Sequence, residues 1–71
     1  MKERFIIKIL SLPPQTYFSC LASSDGDYFT TTDILDATRF LTRQEAMDAL
    51  DFCAFPKDFV FEIRQVWVSE E

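Results

Sequence analysis

The sequence predicts a small α+β domain: an antiparallel-type sheet of three to four strands with one helix packed on one face, in the order β-β-β-α-β. Three observations predict it. Residues 4–10 and 58–68 are apolar, β-branched and aromatic runs near the two ends of the chain. Asp25-Gly26 separates two further short runs in the way a hairpin turn does. Residues 43–53 follow a capping signal and repeat apolar side chains at helical spacing.

The first strand, residues 4–10, places Phe5, Ile7 and Ile9 on one face and Ile6, Lys8 and Leu10 on the other. Pro13-Pro14 ends it, because proline fixes its own φ and donates nothing to a ladder. A second strand covers 16–22 and a short third covers 28–31, joined through Ser23-Ser24-Asp25-Gly26-Asp27. Gly26 is the only glycine, and it fits a turn position that needs positive φ. Two readings fit residues 32–41. One is a short helical turn capped by Thr32-Asp33 and carrying Ile34, Leu35 and Ala37. The other is an irregular crossover that buries Ile34, Ala37 and Phe40.

The helix at 43–53 has Thr42 as N-cap, Glu45 three residues later, and Leu41 and Ala46 at the positions of a hydrophobic staple. Ala46, Ala49, Leu50 and Cys53 form its inner face, with Arg43, Asp48 and Asp51 on the solvent side. Pro56 stops it. In the last strand, Phe59, Phe61 and Ile63 alternate with Val60, Glu62 and Arg64. The alternation slips near Gln65, where a bulge or a frayed end would move Trp67 to the other side. The two long end strands are expected to pair at the sheet centre. Ser69-Glu70-Glu71 forms a charged tail.

All 71 residues belong to one domain. A chain this short buries only about 60% of its unfolded surface. Eight phenylalanines, one tryptophan and two tyrosines supply the apolar area for a core. The start of the chain lacks the pattern of a signal peptide, and its apolar runs are too short to span a bilayer. These features predict a cytoplasmic setting, in which Cys20 and Cys53 are reduced and serve as small buried hydrophobes; a Cys20–Cys53 bridge is the alternative. A net charge of −5 speaks against direct nucleic-acid binding, whose affinity comes largely from Lys and Arg on phosphates. Where charge guides binding, it points to a protein partner with a basic surface.

The residues for chemistry are few. With no histidine, the commonest general base and metal ligand are missing. Two isolated cysteines lack zinc-site spacing, and one glycine cannot build a phosphate loop. Asp25-Gly-Asp27 is shorter than a calcium loop and reads as turn chemistry. Neither catalysis nor a cofactor or metal is predicted.

Recognition then falls to two surfaces. Asp33, Asp36, Glu45, Asp48, Asp51 and Asp58 form one negative field if the crossover lies beside the helix; their other role is solubility. The second surface is the sheet face away from the helix. There Ile6, Leu10, Val60 and Trp67 share space with Lys8, Glu62 and Arg64. Because one helix cannot cover two sheet faces, this face predicts an exposed apolar patch and a candidate homodimer interface. Trp67 either anchors such an interface or folds over the sheet edge into the core.

Phe29-Thr30, Ala37-x-x-Phe40, Thr42 with Glu45-Ala46, and the strand from Phe59 together resemble a pattern in short phage and prophage accessory proteins. The resemblance covers about half the chain. It implies a binding protein without catalytic residues, of the kind that blocks a host defence or regulatory protein, anti-CRISPR proteins among them. It would place the protein in the bacterial host cytoplasm. The alternative is a self-associating structural module that uses the open sheet face.

Overall fold

Strand β1 (Lys2–Ile9) is the centre of the architecture because its middle, Phe5-Ile6-Ile7, is apolar on both sides. Ile6 is 1% exposed and its neighbour Ile7 is 0% exposed. Successive strand side chains point to opposite faces, so both faces of the sheet must be covered here. Burying each isoleucine contributes about 1.5–3 kcal/mol. The computed structural model describes residues 1–12 and 15–69. Pro13-Pro14, expected to end the first strand, and Glu70-Glu71 of the tail lie outside the described residues.

Around β1 the order is β3-β2-β1-β4, antiparallel throughout. The other strands are β2 (Thr16–Leu21), β3 (Tyr28–Thr31) and β4 (Phe61–Val68), and α1 spans Arg43–Phe52. The α+β class and the order of elements are those the sequence predicts. The two end strands do pair, but only β1 is central. β4 is an edge strand, and none of its residues is fully buried.

The β1–β4 register runs unbroken from Lys2 opposite Val68 to Ile9 opposite Phe61. Neither a bulge nor a frayed end, the two readings of the slipped alternation, occurs at Gln65, since pairing continues to Val68. What changes there is the cover over the sheet: Phe61 and Ile63 pack on the helix side, while Val66 packs on the opposite side. The sheet's irregularity lies in β2, where the register with β3 shifts between Phe18 and Cys20.

That shift leaves Ser19 as an extra residue, and the crossover docks there. The Ser19 hydroxyl donates to the Asp36 carbonyl at 3.2 Å. The Thr38 hydroxyl donates to the Ser19 carbonyl, and the Thr38 N–H to the Phe18 carbonyl at 3.3 Å. Phe40 and Phe5 exchange both backbone hydrogen bonds, at 2.7 and 2.9 Å. Residues 38–40 therefore fill a gap between β1 and β2. Ala37 packs with Ile6, Tyr17 and Val66 on one face, while Phe40 packs with Ile7 and Phe18 on the other. The chain thus passes from one face of the sheet to the other.

Both sequence readings of 32–41 are realised in part. A 3-10 turn, η1 (Ile34–Asp36), is capped by Asp33, whose carboxylate accepts the Leu35 N–H at 2.9 Å. The rest is an irregular crossover that buries Ala37. Ile34, expected inside, is exposed.

Helix α1 begins as predicted, with Thr42 Oγ1 accepting from the Glu45 N–H at 3.1 Å. Glu45 Oε2 accepts from the Leu41 N–H rather than closing the capping box on Thr42. Leu41, the staple candidate, stays exposed. Ala46 and Cys53 are buried against Ile7 and Phe18, with Ala49 and Leu50 alongside. Arg43 lies over the Phe5 ring, 5.3 Å from its centroid. Past the helix, Phe55 gathers Tyr28 and Phe61 at centroid distances of 4.2 and 4.6 Å. Such aromatic pairs add about 0.5–1.5 kcal/mol beyond their buried area.

Gly26 ties the hairpin to the end of the helix. Its φ is +92°, and its carbonyl accepts the Ala54 N–H at 2.9 Å. A Cβ placed there would lie 3.0 Å from the Phe52 carbonyl oxygen. Gly26→Ala is therefore expected to cost about 1–3 kcal/mol through left-handed strain and the backbone contact. Urea unfolding would measure it; an unchanged midpoint would show that the turn is not held against the helix.

Candidate functional site

On β1 and β4, strand alternation and register sort the side chains by face. The face opposite α1 carries Lys2, Arg4, Ile6 and Lys8 from β1, opposite Val68, Val66, Arg64 and Glu62 from β4. Leu10 and Val60 continue it, since the Leu10 N–H donates to the Val60 carbonyl at 2.8 Å. Ile6, Lys8, Leu10, Glu62 and Arg64 thus share this face, as the sequence predicts. Ile6 is buried at its centre and Lys8 is half-buried, while Leu10, Glu62 and Arg64 are exposed. Glu62 and Arg64 form an ion pair at 3.4 Å with both side chains about half exposed. In water such a pair contributes about 0–1 kcal/mol.

Trp67 departs from the expected grouping. Without a bulge, alternation sets it with Phe61, Ile63 and Gln65, opposite Glu3. It is 59% exposed, so it does not fold into the core.

The face is not an open sheet either. Turn η1 and Ala37 lie over its middle, burying Ile6 and Tyr17. Beside this cover runs a groove of about 470 Å³, lined by Ile34, Leu35 and Arg39 of the crossover and by Ile6, Val66 and Val68 of the sheet. Residues 65 and 67 complete its β4 wall. Leu35 is 72% exposed at its rim. Apart from Ile6 and Trp67, the sequence did not point to this lining. The available signal was Ile34-Leu35 held between Asp33 and Asp36, an apolar pair on a turn too short to bury it.

The six acidic candidates do not form one field. Asp33 and Asp36 flank η1 on the groove face. Glu45, Asp48 and Asp51 lie on α1, which packs on the opposite face of the sheet. Asp58 is in the exposed loop before β4. The condition for a single field, a crossover beside the helix, is not met, because residues 34–37 cover the other face. Glu45 and Asp48 also have local tasks, accepting from the Leu41 N–H and from the Gln44 side chain.

Charge instead divides by face. Lys2, Arg4, Lys8, Arg39 and Arg64, five of the seven basic residues, lie on the groove face with Glu62, Asp33 and Asp36. The helix face is acidic, with Arg43 drawn over Phe5. The overall charge of −5 conceals this division.

Among the described residues, no group of three or more Cys, Asp or Glu is placed to hold a metal ion. No helix among them is long and apolar enough to cross a membrane. Both cysteines are free thiols, but only Cys53 is the small buried hydrophobe expected; Cys20 is exposed on the β2–β3 side of the sheet. Burial pushes the Cys53 thiol up from its ordinary value. No family model, curated protein or solved structure matches the chain.

The thiols give a direct check on this placement. At pH 8 a thiol reagent should modify one cysteine of the native protein quickly and the second only on unfolding, because Cys53 is covered and holds its proton. Two equally fast thiols in the native state would contradict the packing of α1.

Proposed function

We propose that this chain is a small binding protein of the phage-inhibitor type, which blocks a host protein by occupying it one to one through the groove face. The phage-type assignment rests on the resemblance carried by Phe29-Thr30, Ala37-x-x-Phe40, Thr42 and Glu45-Ala46. The mode of contact rests on the groove, an apolar channel whose walls expose Leu35 and Ile34. Exposed apolar surface of this kind is costly in water and marks interaction sites. Arg39 in the lining and Lys2 and Arg4, across from Val68 and Val66, outnumber Asp33 and Asp36 beside η1 and suit an apolar partner segment with acidic flanks.

A second reading keeps the partner with a basic surface. Glu45, Asp48 and Asp51 stand three residues apart on the exposed side of α1. Such a row meets a cationic cleft electrostatically, and its affinity falls with salt because exposed charges are screened beyond about 8–10 Å at physiological ionic strength.

Substitutions separate the two. Leu35→Asp changes an exposed side chain, so the fold should survive while binding weakens at least about tenfold, or about 1.4 kcal/mol. Asp48→Lys with Asp51→Lys should leave that binding intact. The measurement is titration calorimetry with the protein captured stoichiometrically from bacterial lysate. If nothing is captured, the inhibitor reading fails. If the helix variant alone loses binding, the contact lies on α1.

A further inference from the structure

We propose that β4 pairs edge to edge with the β4 of a second copy, antiparallel about a two-fold axis at Ile63, joining two four-stranded sheets into one. The backbone supplies the first argument. Phe5 directs its N–H and C=O towards Phe40, so its partner Gln65 turns its own backbone groups away from β1. The Leu10–Val60 bond sets the complementary alternation, in which even-numbered β4 residues bond to β1. Phe61, Ile63, Gln65 and Trp67 therefore present a row of N–H and C=O groups to the outer edge. Among the described residues, no strand or loop backbone bonds to that edge. An eight-residue edge without lysine, proline or bulge is a template for strand addition.

Charge identifies the occupant. With the axis at Ile63, Glu62 of each copy faces Arg64 of the other. Lys8 lies across from Glu62 within each sheet, so signs alternate across the join as Lys8, Glu62, Arg64. Moving the axis by one residue sets Glu62 against Glu62 or Arg64 against Arg64, and like charges directly opposite are destabilising. The same register brings Phe61 opposite Gln65. Carried two residues beyond the strand, it sets exposed Trp67 opposite Phe59. The edge is thus self-complementary, as a two-fold interface must be. This inference does not depend on the groove partner, because the axis stands perpendicular to the sheet and leaves both grooves on one face.

Size-exclusion light scattering over a concentration series should show a species of twice 8.3 kDa. Arg64→Glu alone and Glu62→Arg alone should each weaken dimerisation at least about tenfold, because each sets like charges opposite. Mixing the two variants restores opposite signs at both pairs and should return the dimer as a heterodimer. Circular dichroism on each variant confirms that the fold is kept. In hydrogen exchange, the outward amides of Phe61, Ile63 and Gln65 should gain protection as the dimer forms. The proposal is overturned if the wild type remains monomeric at millimolar concentration. It is equally overturned if both variants dimerise unchanged, or if a dimer forms while those amides exchange freely.

Discussion

The rest of this structure depends on one strand whose middle is apolar on both sides. Phe5, Ile6 and Ile7 are buried in succession, which no strand can achieve with one face in water. Among the described residues α1 is the one α-helix, and it covers the Ile7 face. The Ile6 face is covered instead by the crossover between β3 and α1, the longest described segment between elements. Its passage through the gap between β1 and β2 follows from that role. Once Ala37 seals Ile6 and Tyr17, the chain must still return to the other face to begin α1.

The gap costs two strands some of their pairing, and the crossover restores it. Phe40 takes up Phe5 where β2 has departed, and Thr38 takes up the carbonyls of Phe18 and Ser19. Buried backbone groups left without partners would cost about 1–3 kcal/mol each. The extra residue in β2 is consequently the device that turns its carbonyls towards the crossover. Gly26 plays a similar part at the other end, allowing the β2–β3 turn to bond to the chain leaving α1.

The groove and the division of charge are by-products of the same solution. A 3-10 turn is narrower than a helix, so it covers Ile6 but leaves Ile34 and Leu35 on its flank and Val66 and Val68 beside it. Meanwhile β1 and β4 set Lys2, Arg4, Lys8 and Arg64 beside Ile6, Val66 and Val68 on this face, whereas α1 directs its carboxylates outward on the other. A small acidic protein thereby acquires an apolar channel with Arg39 in its lining, Lys2, Arg4 and Arg64 on the same face, and Asp33 and Asp36 beside η1. With β2 and β3 on its other side, the sheet leaves β4 at the edge, and the longest exposed edge becomes the one carrying Glu62 and Arg64.

By itself the sequence determined what local physics fixes. Alternation in β1, the Asp25-Gly26 turn, the Thr42 and Asp33 caps and the helical spacing of Ala46, Ala49, Leu50 and Cys53 placed the elements in their order. Alternation likewise set Lys8, Glu62 and Arg64 on the face away from α1. Only the tertiary structure decided which face the crossover covers, because Ile34 and Ala37 are both apolar and no local rule says which finds a partner. That choice separated Asp33 and Asp36 from the helix carboxylates, opened the groove, and made the change of face after Ile63 a change of cover rather than a bulge. Sheet order, too, is a competition among strands for the two sides of β1. It is settled by long-range packing, which pattern along a single chain does not encode.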